Sequence, residues 1–241
     1  MARNRQVLPY RRGGARRKML GQHFLKSKEV AARIVDALGP LADAHVLEIG
    51  SGGGRLTVEL ACRAKQLTGL ELDLALAARL RQDFSSMPSV TILNEDAAAF
   101  DYAAWARRVQ PALPVIVGNI PYSITNALLH ALIDSGEALG TVVLMLQEEV
   151  ARKITAPAGG KPYGMLTVLA SYRAEVEYLF GVRRDCFVPP PAVDSAVVRL
   201  DFSRPQPRRA LDERLFDSLV RGLFDQRRKQ VQKVLRHDPR F

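Results

Sequence analysis

Cysteine is nearly absent: Cys62 and Cys186 are the only two in 241 residues, and their spacing suits no metal site. The expectation is ordinary reduced thiols in a cytoplasmic protein, with no bound metal. No apolar run approaches the roughly 20 residues that span a bilayer, and the amino terminus has no apolar signal core. A membrane role is therefore not expected. A strict Gly-x-Gly-x-x-Gly is missing as well. Counted from Gly50, the third glycine position is Arg55, which argues against a dinucleotide enzyme but not against a nucleoside ligand. No internal repeat is found. Acid is missing from residues 1–18, which hold seven Arg or Lys.

That last absence gives the charge its meaning. The chain carries a net +10. Residues 1–18 contribute +7 and residues 204–241 contribute +6, which leaves the stretch 19–203 at −3. Positive ends on a mildly acidic middle point to a polyanionic partner, and nucleic acid is the commonest. The division expected is a basic arm over 1–18, a main domain over 19–203 and a short helical domain over 204–241. Ser203 to Arg208 forms the linker between the last two.

With 47% hydrophobic residues the main domain can build a sizeable core. Apolar strand patterns near 45–50, 66–72, 90–94, 115–119 and 141–147 alternate with helical patterns. Further strands are expected near 174–180 and 195–202. This alternation predicts an α/β fold, a doubly wound and mostly parallel sheet with helices on both faces. Beyond the linker, apolar spacing from Leu211 to Leu235 reads as helix.

The most informative stretch is Val115 to Tyr122. A buried strand should end at Asn119 and leave its amide at the carboxyl tip. Pro121 then stiffens the turn, and Tyr122 offers a flat face. An amide oxygen, fixed carbonyls and a ring suit an amino group on a planar heterocycle. A local backbone cap by Asn119 explains the same residues without chemistry.

Open α/β sheets bind ligands beyond the carboxyl ends of their strands. Gly50 to Gly54 follows the first strand of this alternation there. Glu71 closes the second, where a carboxylate can accept from ribose hydroxyls, with Asp73 as competitor. Asp96 follows the third and can accept from an adenine amine, while Glu95 should face elsewhere. An acid or amide closing three successive strands outlines a site for an adenosine-bearing ligand. S-adenosylmethionine fits that outline better than a dinucleotide.

The blocks Gly21–Leu25, Glu48–Gly52, Glu71–Asp73, Asn119–Tyr122, Met145–Val150 and Phe187–Val198 occur in this order in a known family. The chain resembles the ribosomal RNA adenine dimethyltransferases over about residues 16–236, most closely their small-subunit branch. The resemblance implies a Rossmann-like methyltransferase that uses S-adenosylmethionine to dimethylate adenines in small-subunit ribosomal RNA. It implies a ribosomal RNA partner within an assembling subunit and action as a monomer. It places His23, Leu25, Gly50, Glu71, Asp96 and Asn119 at the cofactor, although His23 stands where many members carry Asn. The tail is also shorter than is usual in the small-subunit branch.

The chemistry expected is direct. Hydrogen bonds from the adenine amine to Asn119 and a turn carbonyl, that of Pro121, aim the nitrogen at the methyl group. Tyr122 and Phe187 are the expected faces of a base sandwich, with packing under the Pro189–Pro191 loop as the alternative for Phe187. Two other activities stay open at this point. One is the same reaction on large-subunit RNA, and the other is a non-catalytic assembly factor that keeps the fold.

Overall fold

A computed structural model of the chain describes residues 22–205, 209–226 and 229–237. The basic arm, Gly21 and part of the linker lie outside the described residues.

Seven strands make the main sheet: β2 (Ala44–Ile49), β3 (Gln66–Leu70), β4 (Val90–Leu93), β5 (Leu113–Asn119), β6 (Thr141–Gln147), β7 (Glu175–Val182) and β9 (Ser195–Asp201). Their order is β4-β3-β2-β5-β6-β9-β7. The first five in that order run parallel, and β9 pairs antiparallel to both β6 and β7. Between them run α1 (Lys28–Asp36), α2 (Arg55–Ala61), α3 (Leu74–Asp83), α4 (Tyr102–Val109), α5 (Thr125–Asp134), α6 (Glu148–Ile154) and α7 (Met165–Arg173). A separate two-residue ladder joins β1 (Phe24–Leu25) to β8 (Phe187–Val188).

Alternate side chains of each central strand enter opposite cores, as the two-residue period of extended chain requires. From β2, Leu47 and Ile49 face a cluster with Leu128, Leu132 and Leu169. Ala44 and Val46 face the other cluster with Ile34, Leu60 and Leu80. Strands buried on both faces explain why the sequence shows apolar runs here rather than alternation.

Strand order reverses at β2, which pairs with β3 on one side and β5 on the other. The crevice at such a reversal is where this class of fold binds ligands. Gly118 stands there opposite Ile49, and a Cβ on it would lie 2.8 Å from the Ile49 carbonyl. Only glycine allows this close approach. Gly50, with φ +70°, then turns the chain out of β2.

The tail shows helices α8 (Glu213–Asp225) and α9 (Val231–His237). The buried Val220 of α8 joins the core cluster of the sheet. Tyr172 stacks on Phe216 at 4.1 Å and donates to Glu213 at 2.7 Å, and Arg173 pairs with Asp217 at 2.7 Å. Among the described residues no helix is long and apolar enough to cross a membrane.

Candidate active site

A cavity opens over the carboxyl ends of β2, β3 and β5. Gly50, Glu71, Asp96, Asn119, Pro121 and Tyr122 all line it, together with His23. Chain topology thus gathers residues spread over a hundred positions.

Glu71 is buried at 3% exposure. Its Oε2 accepts from the Gly52 N–H at 2.7 Å, and its Oε1 accepts from the Asp73 N–H at 2.8 Å. Each carboxylate oxygen keeps a second lone pair. Burial raises the Glu71 pKa, and these two backbone bonds oppose the rise. The competitor Asp73 is spent elsewhere. It caps α3 by accepting from Ala75 and Leu76. Asp96 accepts from the Ala98 N–H at 2.8 Å and still faces the cavity.

Asn119 donates through Nδ2 to the His23 carbonyl at 2.9 Å. That bond fixes the amide, and its Oδ1 has no partner among the described residues. The His23 ring bonds through Nδ1 to the Pro189 carbonyl at 2.8 Å. A carbonyl only accepts, so Nδ1 carries the proton. The ring centroid lies 5.7 Å from that of Tyr122, with the planes tilted by 37°.

Four expectations need correction. The Pro121 carbonyl already accepts from the Ile124 N–H at 3.1 Å and the Thr125 hydroxyl at 3.2 Å, so it is spent in the short turn that leads into α5. The Ile120 carbonyl, one residue earlier, accepts no such bond among the described residues. Phe187 is 2% exposed and sits in the core, paired with Leu25 across β1–β8, so it shows no face to the cavity. Leu25 is buried at 7% in the same core, and it is Gln22, His23 and Phe24 that reach the cavity. Glu95 lines the cavity beside Asp96 instead of facing away, because strand alternation stops when β4 ends at Leu93.

Two residues carry roles that the sequence does not announce. The buried Gln22 Oε1 has no hydrogen-bond partner among the described residues, and the residue lines the cavity. Glu48, on β2, is 1% exposed and accepts from the Thr57 hydroxyl at 2.7 Å. Burial pushes its pKa up to about 7, with the charge of Glu71 adding to the rise. An acid between Leu47 and Ile49 in a buried strand was the signal that could have found it.

The cavity suits an adenosyl ligand by its chemistry. Carboxylates stand at successive strand ends for hydroxyl and amine donors. Gln22 holds out an unpaired acceptor. Leu72, Ala97 and Ile120 give apolar surface for a flat ring.

Known proteins resemble the chain in sequence and fold. A family model described as ribosomal RNA adenine dimethylase matches residues 14–239. Ribosomal RNA small subunit methyltransferase A of Hydrogenovibrio crunogenus is 39% identical over 222 residues, covering 91% of this chain and 83% of that protein. The protein of the same name from Magnetococcus marinus is 40% identical over 220 residues, covering 91% and 78%. Among solved structures, the dimethyladenosine transferase from Plasmodium falciparum superposes with TM-score 0.76 at 29% identity, covering 90% of this chain and 76% of that one. The 23S rRNA methyltransferase ErmE gives 0.74 at 33% identity, covering 90% and 85%.

Proposed function

The chain belongs to the ribosomal RNA adenine dimethylase family, and on that premise we propose how its residues carry the reaction. The protein is an S-adenosylmethionine-dependent methyltransferase that dimethylates the exocyclic amine of adenines in small-subunit ribosomal RNA. The relatives named for the small subunit match at 37–40% identity, which favours that substrate over the large-subunit RNA named for ErmE.

S-adenosylmethionine, when bound, supplies an electrophilic methyl group. Glu71, Asp96, Gly50 and the Gln22–His23 segment would hold it, Glu71 through the lone pairs its backbone bonds leave free. Leu25 acts only by anchoring that segment.

An adenine amine is a weak nucleophile because its lone pair is delocalised into the ring. Asn119 Oδ1 and the Ile120 carbonyl accept its two hydrogens and favour a pyramidal nitrogen. As positive charge grows on that nitrogen, both acceptors bind it more strongly, so they stabilise the transition state more than the ground state. Pro121 acts by stiffening the turn that holds them. Tyr122 stacks on the base, which must be unpaired or flipped to reach the cavity. The methylated nitrogen is acidic and loses its proton without a dedicated base.

The observation that carries this reading is the Asn119 amide, tethered at Nδ2 and, among the described residues, open at Oδ1. Asn119→Ala should reduce single-turnover methyl transfer to unmodified small subunits by roughly 10²–10³-fold, the cost of losing one such acceptor or donor. RNA binding and folding should persist. Near-normal transfer in that variant would reject the mechanism.

The same proposal treats residues 1–18 and 204–241 as basic extensions that meet RNA phosphates, flanking a catalytic unit over 19–203. It also holds that a monomer acts in the cytoplasm on an assembling small subunit.

A further inference from the structure

Tyr122 sits in the short turn after Pro121, half-buried at the cavity wall. A tyrosine side chain swings about its Cα–Cβ bond, and a turn alone does not set where the ring lies. The far end of the ring is held, however. The Tyr122 hydroxyl shares a hydrogen bond with Ser195 Oγ at 3.0 Å, across 73 residues of sequence.

Ser195 is a rigid anchor. It opens β9 and is paired with Gln147 of β6 on one side and Val182 of β7 on the other. Its side chain is in the interior, with the residue 1% exposed. It does not line the cavity. Burial also raises the Tyr122 pKa, so the phenol keeps its proton and the bond persists at neutral pH.

We propose that Ser195 is the positioning residue of the active site: its hydroxyl tethers the far end of the Tyr122 ring and so holds that ring at the cavity wall where the target adenine is received. The inference rests on the proposed stacking role of Tyr122. With Phe187 buried, Tyr122 is one of the rings lining the cavity, beside His23 and Phe24, so holding it in place holds one wall of the base site. Preorganisation of this kind lowers the ordering cost of binding. The benefit is present in ground and transition states alike and therefore reads in KM more than in kcat.

The test is a double-mutant cycle on methyl transfer to unmodified small subunits. Ser195→Ala and Tyr122→Phe each remove the same bond from opposite ends. Each should lower kcat/KM by roughly twofold to tenfold, the range of one net hydrogen bond. The loss should lie in the KM for RNA, with S-adenosylmethionine affinity unchanged by calorimetry. The double variant should be no worse than either single one. Additive losses, or wild-type kinetics in both single variants, would overturn the proposal. Should Ser195→Ala fail to fold, Tyr122→Phe read alone decides, since wild-type kinetics there overturns the tether. Tyr122→Leu separates the two readings. An inactive Tyr122→Leu beside normal Ser195→Ala and Tyr122→Phe removes the tether and leaves stacking intact. A fully active Tyr122→Leu removes stacking and the tether with it.

Discussion

Glu48 gives the sharpest physical prediction. Its carboxyl is enclosed in the sheet, where burial pushes its pKa from 4.5 up to about 7 against the opposing bond from Thr57. A folded-state pKa raised above the unfolded value means that the folded state binds the extra proton. The stability Glu48 contributes is then fully present below pH 4.5 and is lost as pH rises through 7. One pKa unit is worth about 1.4 kcal/mol, so the loss across this window is about 3 kcal/mol. Glu48→Gln keeps the shape and an acceptor for Thr57 and cannot ionise. Its stability relative to the parent protein should therefore climb between pH 4.5 and 7 and level off above pH 8, by about 3 kcal/mol. Urea unfolding of both proteins across pH 4.5–8.5 measures this difference directly. A difference that stays flat with pH would refute the buried, proton-binding carboxyl.

Two further outcomes follow from the site and the charge. Glu71→Ala and Asp96→Ala should each weaken S-adenosylmethionine binding in calorimetry more than RNA binding, and unchanged affinity in both would reject their assignment. Removing residues 1–15 deletes four arginines. Each phosphate that is then no longer neutralised should flatten the slope of log affinity against log salt by roughly 0.7–0.9, with cofactor binding unaffected. An unchanged RNA affinity and slope would leave the arm without a role.

The sheet was legible because its strands are short apolar runs closed by glycines, acids or amides, and that punctuation survives in any context. Asn119 was legible for the same reason, as the polar end of an apolar strand ahead of proline. Side-chain commitments were not legible. Asp73 competes with Glu71 in the sequence, and it takes the burial of Glu71 and the α3 cap that Asp73 makes at Ala75 and Leu76 to tell them apart. The Pro121 carbonyl looks open in sequence, yet Thr125 closes on it. Phe187 reads equally as a stacking ring or as a residue packed under the Pro189–Pro191 loop, and its pairing with Leu25 draws it inside. Each of these depends on packing between distant segments, which local pattern does not encode. The antiparallel return of β9 between β6 and β7 belongs to the same class, and it is what places Ser195 behind Tyr122.

The central claim is methylation of adenine amines in small-subunit RNA, directed by Asn119. The most direct measurement supplies S-adenosylmethionine with a labelled methyl group to the purified protein with unmodified small and large ribosomal subunits, then maps the label. The account predicts dimethylated adenines in the small-subunit RNA alone, with labelling slowed by roughly 10²–10³-fold in Asn119→Ala. Label in large-subunit RNA, on a base other than adenine, or transferred at a near-normal rate by Asn119→Ala would contradict it.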